Sequence, residues 1–352
     1  MVQPEILPPS PSHPHQVDSN TEVDDFAVRG QISASPIIKA IGVGGGGCNA
    51  VRSMIETGLR GVDCILTNTD FPSSKQAETY LRIQLGEVLT HGLGSGSDPE
   101  IGRRAALESA AMIAEALDGA DLVFVAAGMG GGTGTGAAPV IAEIARSAGI
   151  LTVGVVTKPF FYEGKRRMQQ AEAGITLLKQ AVDSLMVIPN ERLRKQGDKG
   201  MTILDAFKPA NLVLHHAIRG ISELIHTEGH INLDFADLRT IMANRGMATM
   251  GIGTAKGPQR AEEAARMAIN NPLLEGFDFS RAKGVLVNIS GSSSMSLWEF
   301  DQAAEIIQKS MGDDVEMITG LVIREDLGEV MQVTAIATGA EVQASPPKVP
   351  SL

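Results

Sequence analysis

At 352 residues the chain is long enough for two domains with sizeable cores. Its net charge of −11 and aromatic content of 4% argue against a duplex-binding surface and against an aromatic platform for single strands, so no nucleic-acid partner is expected. Two cysteines, Cys48 and Cys64, make no disulfide framework and fit a reducing cytoplasm, and no apolar run reaches the length of a membrane span, so direct membrane insertion is not expected.

Residues 1–35 are rich in Pro, Ser, His and Asp, lack periodicity and read as a disordered arm. They have neither the basic-then-apolar pattern of a secretory signal nor an Arg-rich transit composition. Order begins with an apolar strand over 36–43, running into Gly44-Gly45-Gly46-Gly47-Cys48-Asn49 and then a helix over 50–55. Strands follow over 62–70 and 81–85, then a glycine turn over 92–96. The next helix, over 99–117, has Ile101, Ala105, Leu107, Met112 and Ile113 on its buried side. The apolar run 122–127 enters a third glycine stretch, 128–136, with a helix over 140–145 behind it. Buried strands are expected over 151–157 and 184–190.

Nearly uniformly apolar strands alternating with helices indicate an α/β fold with a parallel sheet covered on both faces. Ligands bind such sheets at the carboxyl ends of the strands. The loops at Gly44, Thr67, Gly94, Gly130 and Lys158, and Asn190, all fall at that edge. Pro209 is expected to interrupt a short helix over 203–207. A longer helix runs from about Asn211 to Gly229, with Leu214, Ile218, Ile221 and Ile225 on one face. Beyond it, strands over 246–255, 284–290, 317–324 and 330–337 alternate with helices over 258–270 and 297–311, and Trp298 is expected to pack at the start of the last helix. The expected organisation is an arm (1–35), an α/β domain (36–202), linking helices (203–230), a smaller α+β domain (231–340) and a flexible tail (341–352).

A strand, a glycine loop and a helix start in that order make an anion site, because glycines leave backbone N–H groups uncovered. Thr133 and Thr135 would add hydroxyl donors. The competing reading of the same glycines is tight strand–helix packing. Gly42-x-Gly44-x-x-Gly47, with Asp63 about twenty residues on, also matches the dinucleotide fingerprint and keeps a nucleotide-binding oxidoreductase open as the alternative. Several glycine loops on one sheet edge count against it, and a Walker A sequence is absent. His226 and His230 straddle Gly229 with no third ligand nearby, so no protein metal centre is expected.

The run Gly131-Gly132-Thr133-Gly134-Thr135-Gly136, extended by Gly130 and Ala137-Ala138-Pro139, resembles the signature of the tubulin superfamily in its bacterial form. With further motifs in order from about 36 to 338, the chain resembles the FtsZ family, the cell-division GTPases of bacteria and plastids. The resemblance implies a tubulin-like fold with a long central helix, GTP and GDP as substrate and product, Mg²⁺ as cofactor and K⁺ as a further cation. It implies that Gly45, Gly46, Gly47, Cys48 and Asn49, together with Gly94, Ser95 and Gly96, cradle phosphates, and that Gly131–Gly136 wraps the β- and γ-phosphates. Glu163 would bind the ribose, Arg167 would lie against the nucleotide, Asn190 and Asn211 would read guanine, and Phe207 would pack on the base. An amide offers both a donor and an acceptor to guanine, although Asn211 alone would equally serve as a helix cap.

Asp234 and Asp237 stand at the start of a helix expected over 238–243, where carboxylates stabilise a helix N-terminus in any case. The resemblance gives them, with Asn232, a catalytic role. They would polarise the attacking water in the nucleotide pocket of the next subunit of a head-to-tail filament. It further implies a cytoplasmic division ring at mid-cell, with division-ring regulators and membrane-tethering proteins as partners. The chain departs from the family pattern at Cys48, where glycine is usual and a small packed thiol is expected, and at Pro350-Ser351-Leu352, which lacks the acidic–apolar–basic ending of the family's partner-binding peptide.

Overall fold

Every other residue of the strand Leu122–Gly128 faces one hydrophobic cluster and the alternate residues face another, because the strand lies inside a sheet covered on both sides. Leu122, Phe124 and Ala126 belong to the first cluster; Val123, Val125 and Ala127 belong to the second. The computed structural model describes residues 35–71, 80–194, 203–226, 234–243, 246–274, 277, 281–312 and 314–339. The expected arm and tail, the end of the long helix at Gly229, His230 and Asn232 lie outside them.

In chain order the elements are β1 (Ile38–Val43), α1 (Gly44–Glu56), β2 (Val62–Asn68), β3 (Leu81–Gln84), α2 (Glu87–Thr90), α3 (Pro99–Glu108), α4 (Ala110–Leu117), β4 (Leu122–Gly128), α5 (Thr133–Ser147) and β5 (Leu151–Lys158). They continue with α6 (Lys165–Ala181), β6 (Ser184–Pro189), α7 (Asn190–Arg194), α8 (Ile203–His226), α9 (Phe235–Met242), β7 (Gly246–Lys256), α10 (Arg260–Ile269), β8 (Gly284–Gly291), α11 (Leu297–Gln308), β9 (Glu316–Ile323) and β10 (Val330–Thr338). One sheet orders the strands β3-β2-β1-β4-β5-β6-β7-β10-β8-β9. All pairings are parallel except those of β10, which runs antiparallel to both neighbours. The seam between β6 and β7 is short, with Ser184, Leu185 and Met186 paired to Gly246, Met247 and Ala248.

Helix α8 presents the expected apolar face, with Leu214, Ile218 and Ile221 buried against α1 and the sheet. It runs through Pro209 without a break, so the expected interruption is not there. The helix expected over 99–117 is two helices divided at Ser109. Gly102, Ala105, Ser109, Ile113 and Leu117 form the buried line, while Leu107 and Met112 are exposed because they lie off that line. Trp298 does stand at a helix start but is 67% exposed, not packed. Among the described residues no helix is long and apolar enough to cross a membrane.

The start of α11 is fixed by a reciprocal capping box between Ser296 and Glu299, and the Glu299 carboxylate also takes a two-pronged contact from Arg260, Nε–Oε1 2.6 Å and Nη2–Oε2 3.1 Å. The Arg260 contact outweighs burial and, with the Ser296 bonds, pulls Glu299 down to about 2. A carboxylate depressed in the folded state contributes stability that is present above its unfolded pKa and is lost as pH falls through the folded one. Between about pH 5 and 2 this pair should therefore cost the fold about 3 kcal/mol. Chemical denaturation across that range should show a shallower acid limb for Glu299→Gln than for the parent. Equal slopes would refute the assignment.

Candidate functional site

At the carboxyl end of β1 the chain turns at Gly44 (φ +69°) into α1, and no side chain caps that helix. At the end of β4 it passes Gly130 (φ +101°) into α5, again with no side-chain cap. The first N–H groups of a helix have no partner within it and carry the positive end of its dipole. The two helix starts lie side by side, since a Cβ on Gly44 would stand 2.7 Å from Gly134 N and one on Gly46 would stand 3.1 Å from Gly128 Cα. Two adjacent uncapped helix N-termini form an anion site. Both begin inside their glycine runs, several residues earlier than the apolar periodicity indicates.

Packing and ligand access, the two readings of these glycines, apply at different positions. A Cβ on Gly47 would collide with Ala126 O, on Gly132 with Ser95 Oγ, and on Gly136 with Pro99 O; on Gly134 it would lie 2.6 Å from Gly128 O. Those glycines let backbones touch. Gly45, Gly96 and Gly131 face open space, with nothing within 4 Å of an added Cβ, and Gly94 meets only the Asp70 side chain, at 3.5 Å. Those are the positions where a phosphate can approach the backbone.

The threonine hydroxyls cross-link the loops. Thr133 Oγ1 is 2.7 Å from Thr69 Oγ1 and 2.9 Å from Ser95 Oγ, and Thr135 Oγ1 accepts from Gly130 N at 2.8 Å. The sequence placed the Thr67–Asp70 turn at this edge but gave Thr69 no role of its own. Cys48 turns its thiol inward, donating to Gly42 O (3.5 Å) and Thr67 O (3.4 Å), and burial pushes it up to about 12. Asn49 is exposed and takes a contact from Arg52 Nη1 at 3.3 Å.

Beyond β5, Glu163 accepts from Phe160 N through Oε1 (2.7 Å) and pairs through Oε2 with Arg167 Nε (3.1 Å). The Arg167 backbone packs on Gly130, which places this pair beside the phosphate loop. Glu191 Oε2 accepts from Phe161 N at 3.2 Å and ties α7 to the same rim. Asn190, the first residue of α7, is buried, and its Oδ1 has no hydrogen-bond partner among the described residues. A buried acceptor without a donor is costly, and the N–H edge of guanine would satisfy it. Asn211 lies half-buried in the middle of α8 and is not a helix cap. Phe207 lies on α8, with its side chain outside the described residues.

Asp234 and Asp237 are elsewhere. Asp234 caps α9, accepting from Ala236 N at 3.3 Å, and Asp237 lies in its first turn. Ser184 Oγ donates to Met242 O (2.6 Å) and Arg239 Nη2 to Gly149 O (3.4 Å). These bonds fix α9 at the amino ends of β5 and β6, the far end of the strands from the glycine loops. The eight residues of β5 span about 25 Å between those two ends. The single chain brings the glycine loops together and holds the two aspartates apart from them.

A mostly parallel sheet, a long central helix and glycine loops opening the adjacent helices α1 and α5 fit a GTPase of the tubulin type, and the model of the Tubulin/FtsZ family GTPase domain matches residues 37–198. The FtsZ family C-terminal domain matches residues 246–341. An empty FtsZ dimer from M. jannaschii is 38% identical with a TM-score of 0.83, over 92% of this chain and 96% of that one. A point mutant of the same organism's FtsZ is 41% identical with a TM-score of 0.82, over 86% and 91%. CetZ2 from Haloferax volcanii, a GTPγS-bound protofilament, shares the fold at 21% identity and a TM-score of 0.69, over 86% and 93%. The chain belongs to the FtsZ family, and the cell-division role of that family goes with it. The oxidoreductase alternative falls with that finding.

Proposed function

We propose that this GTPase assembles head to tail and hydrolyses GTP at sites completed between neighbours, forming the cytokinetic ring at mid-cell. The observation that carries the reading is that the glycine loops and α9, whose first turn carries Asp234 and Asp237, stand at opposite ends of β5, a strand about 25 Å long. A contact joining opposite ends of identical molecules does not close and generates a filament. The dimeric and protofilament states of the similar structures support self-association.

In this reading residues 36–202 form the GTP-binding domain, 203–230 the linking helices and 231–340 the C-terminal domain. The residues named above for phosphate, ribose and base keep those roles, and Asn232, Asp234 and Asp237 act on the neighbour's nucleotide. Among the described residues no group of three or more His, Cys, Asp or Glu could hold a metal ion. Mg²⁺ would be held chiefly by phosphate oxygens and water, with few protein ligands. When bound it absorbs charge developing on the phosphates. K⁺ would be a further cation, and regulators and membrane tethers the partners.

Light scattering tests the reading. With Mg²⁺ and K⁺, scattering should rise on adding GTP and decay as phosphate is released. No rise with GTP, at any protein concentration that binds it, would reject the filament.

A further inference from the structure

Three turns meet at a buried cluster of hydroxyls behind the phosphate loop. Thr69 follows the end of β2, Ser95 lies in the turn before α3, and Thr133 opens α5. Thr69 is fully buried, and Ser95 and Thr133 are 7% and 8% exposed. Thr133 Oγ1 is the centre, 2.7 Å from Thr69 Oγ1 and 2.9 Å from Ser95 Oγ. The Thr69 carbonyl accepts from Gly94 N (3.1 Å), which holds Thr69 against the same turn as Ser95.

A hydroxyl has one proton and two lone pairs. If Thr69 and Ser95 both donate to Thr133, both lone pairs of Thr133 are occupied and its own proton must point elsewhere. Gly131, two residues before Thr133, and Gly45, next to the Gly44 whose added Cβ would stand 3.4 Å from Thr133 Cβ, both have nothing within 4 Å of an added Cβ, so open space for a ligand lies beside this junction. A hydroxyl that accepts two hydrogen bonds is also polarised into a stronger donor.

We propose that Thr69 is a positioning residue for nucleotide recognition: with Ser95 it fills the acceptor sites of Thr133, so that the Thr133 hydroxyl is held as a donor to the terminal phosphate. The proposal rests on the GTPase reading. Without the Thr69 hydroxyl, Thr133 can donate to Ser95 instead, and its proton is no longer committed to the ligand. Thr69 itself touches no phosphate position. The effect is therefore on discrimination between nucleotides carrying and lacking that phosphate, and less on binding as such.

The test compares Thr69→Val, which keeps the branched shape and loses the hydroxyl, with Thr69→Ser, which keeps the hydroxyl. Affinities for a non-hydrolysable GTP analogue and for GDP are measured with Mg²⁺, together with thermal stability. Thr69→Val should lower the GTP-analogue-to-GDP affinity ratio about tenfold with GDP affinity unchanged, and Thr69→Ser should restore the ratio. Ser95→Ala should lower it in the same direction. An unchanged ratio in folded Thr69→Val, or an equal loss for both nucleotides with no rescue by serine, would overturn the proposal while leaving the GTPase reading intact. If Thr69→Val does not fold, Thr69→Ala, which removes the same hydroxyl without adding bulk, is read in the same way. Parent protein that binds neither nucleotide would instead overturn the GTPase reading, and this proposal with it.

Discussion

Asp234→Asn should bind GTP as the parent does, melt at the same temperature, and lose at least about 100-fold in turnover. The choice of asparagine matters because Asp234 has a visible local task, capping α9 through Ala236 N. Asparagine caps a helix about as well as aspartate, whereas alanine costs about 1 kcal/mol at such a position. Asp234→Asn thus removes the charge and keeps the cap, while Asp234→Ala removes both and should add a small loss of stability. Near-parental turnover in Asp234→Asn would reduce the residue to a helix cap. Mixing supplies a second check. A variant damaged in its glycine loops and a variant lacking Asp234 are each inactive alone. In an equal mixture about a quarter of head-to-tail contacts would pair an intact loop with an intact aspartate. Activity should reappear on mixing, and two inactive partners that stay inactive while co-assembling would argue against a shared site.

The second large effect separates glycines a few residues apart. Gly136→Ala should destabilise the fold by about 3 kcal/mol or more, lowering the melting temperature by on the order of 10 °C. Its Cβ would run into Pro99 O and stand 2.7 Å from Arg103 N, both backbone atoms of α3, so the two helices must move apart. Gly131→Ala meets nothing within 4 Å and should leave the melting temperature nearly unchanged. It should weaken GTP binding at least tenfold, because the methyl group would occupy space meant for phosphate. Calorimetry and nucleotide titration on the same two proteins decide the matter. If Gly131→Ala binds GTP normally, the loop is packing alone.

Much of this was readable in the chain. The apolar runs of β1, β4, β5 and β6 announce a buried parallel sheet, and the stripe of Leu214, Ile218 and Ile221 announces α8. What was not readable depended on neighbours distant in sequence. Glycine disfavours a helix by about 1 kcal/mol per residue, so local preference delays the starts of α1 and α5. In the fold those glycines are held in helix by backbones that only glycine lets approach. Pro209 is similarly overridden within α8. Leu107 and Met112 are apolar but lie off the line of Gly102, Ala105, Ser109, Ile113 and Leu117 that faces the core, and apolar character alone said nothing of the exposure of Trp298. The loops of the candidate site were legible as glycines. The Thr69–Thr133–Ser95 junction was not, because its members are separated by 26 to 64 positions and are ordinary residues in isolation.

The antiparallel strand of the second half has a consequence for synthesis. β10 is the last strand among the described residues, yet it lies between β7 and β8. A nascent chain complete through β9 has every strand of the nucleotide half and still lacks the piece that joins β8 and β9 to the rest of the sheet. Until Val330–Thr338 has left the ribosome, β7 and β8 each carry an open edge of unpaired backbone groups. The nucleotide half can close early, but the far half is finished only when its last strand is threaded into the gap. Translation order therefore delays the completed sheet until β10 has emerged.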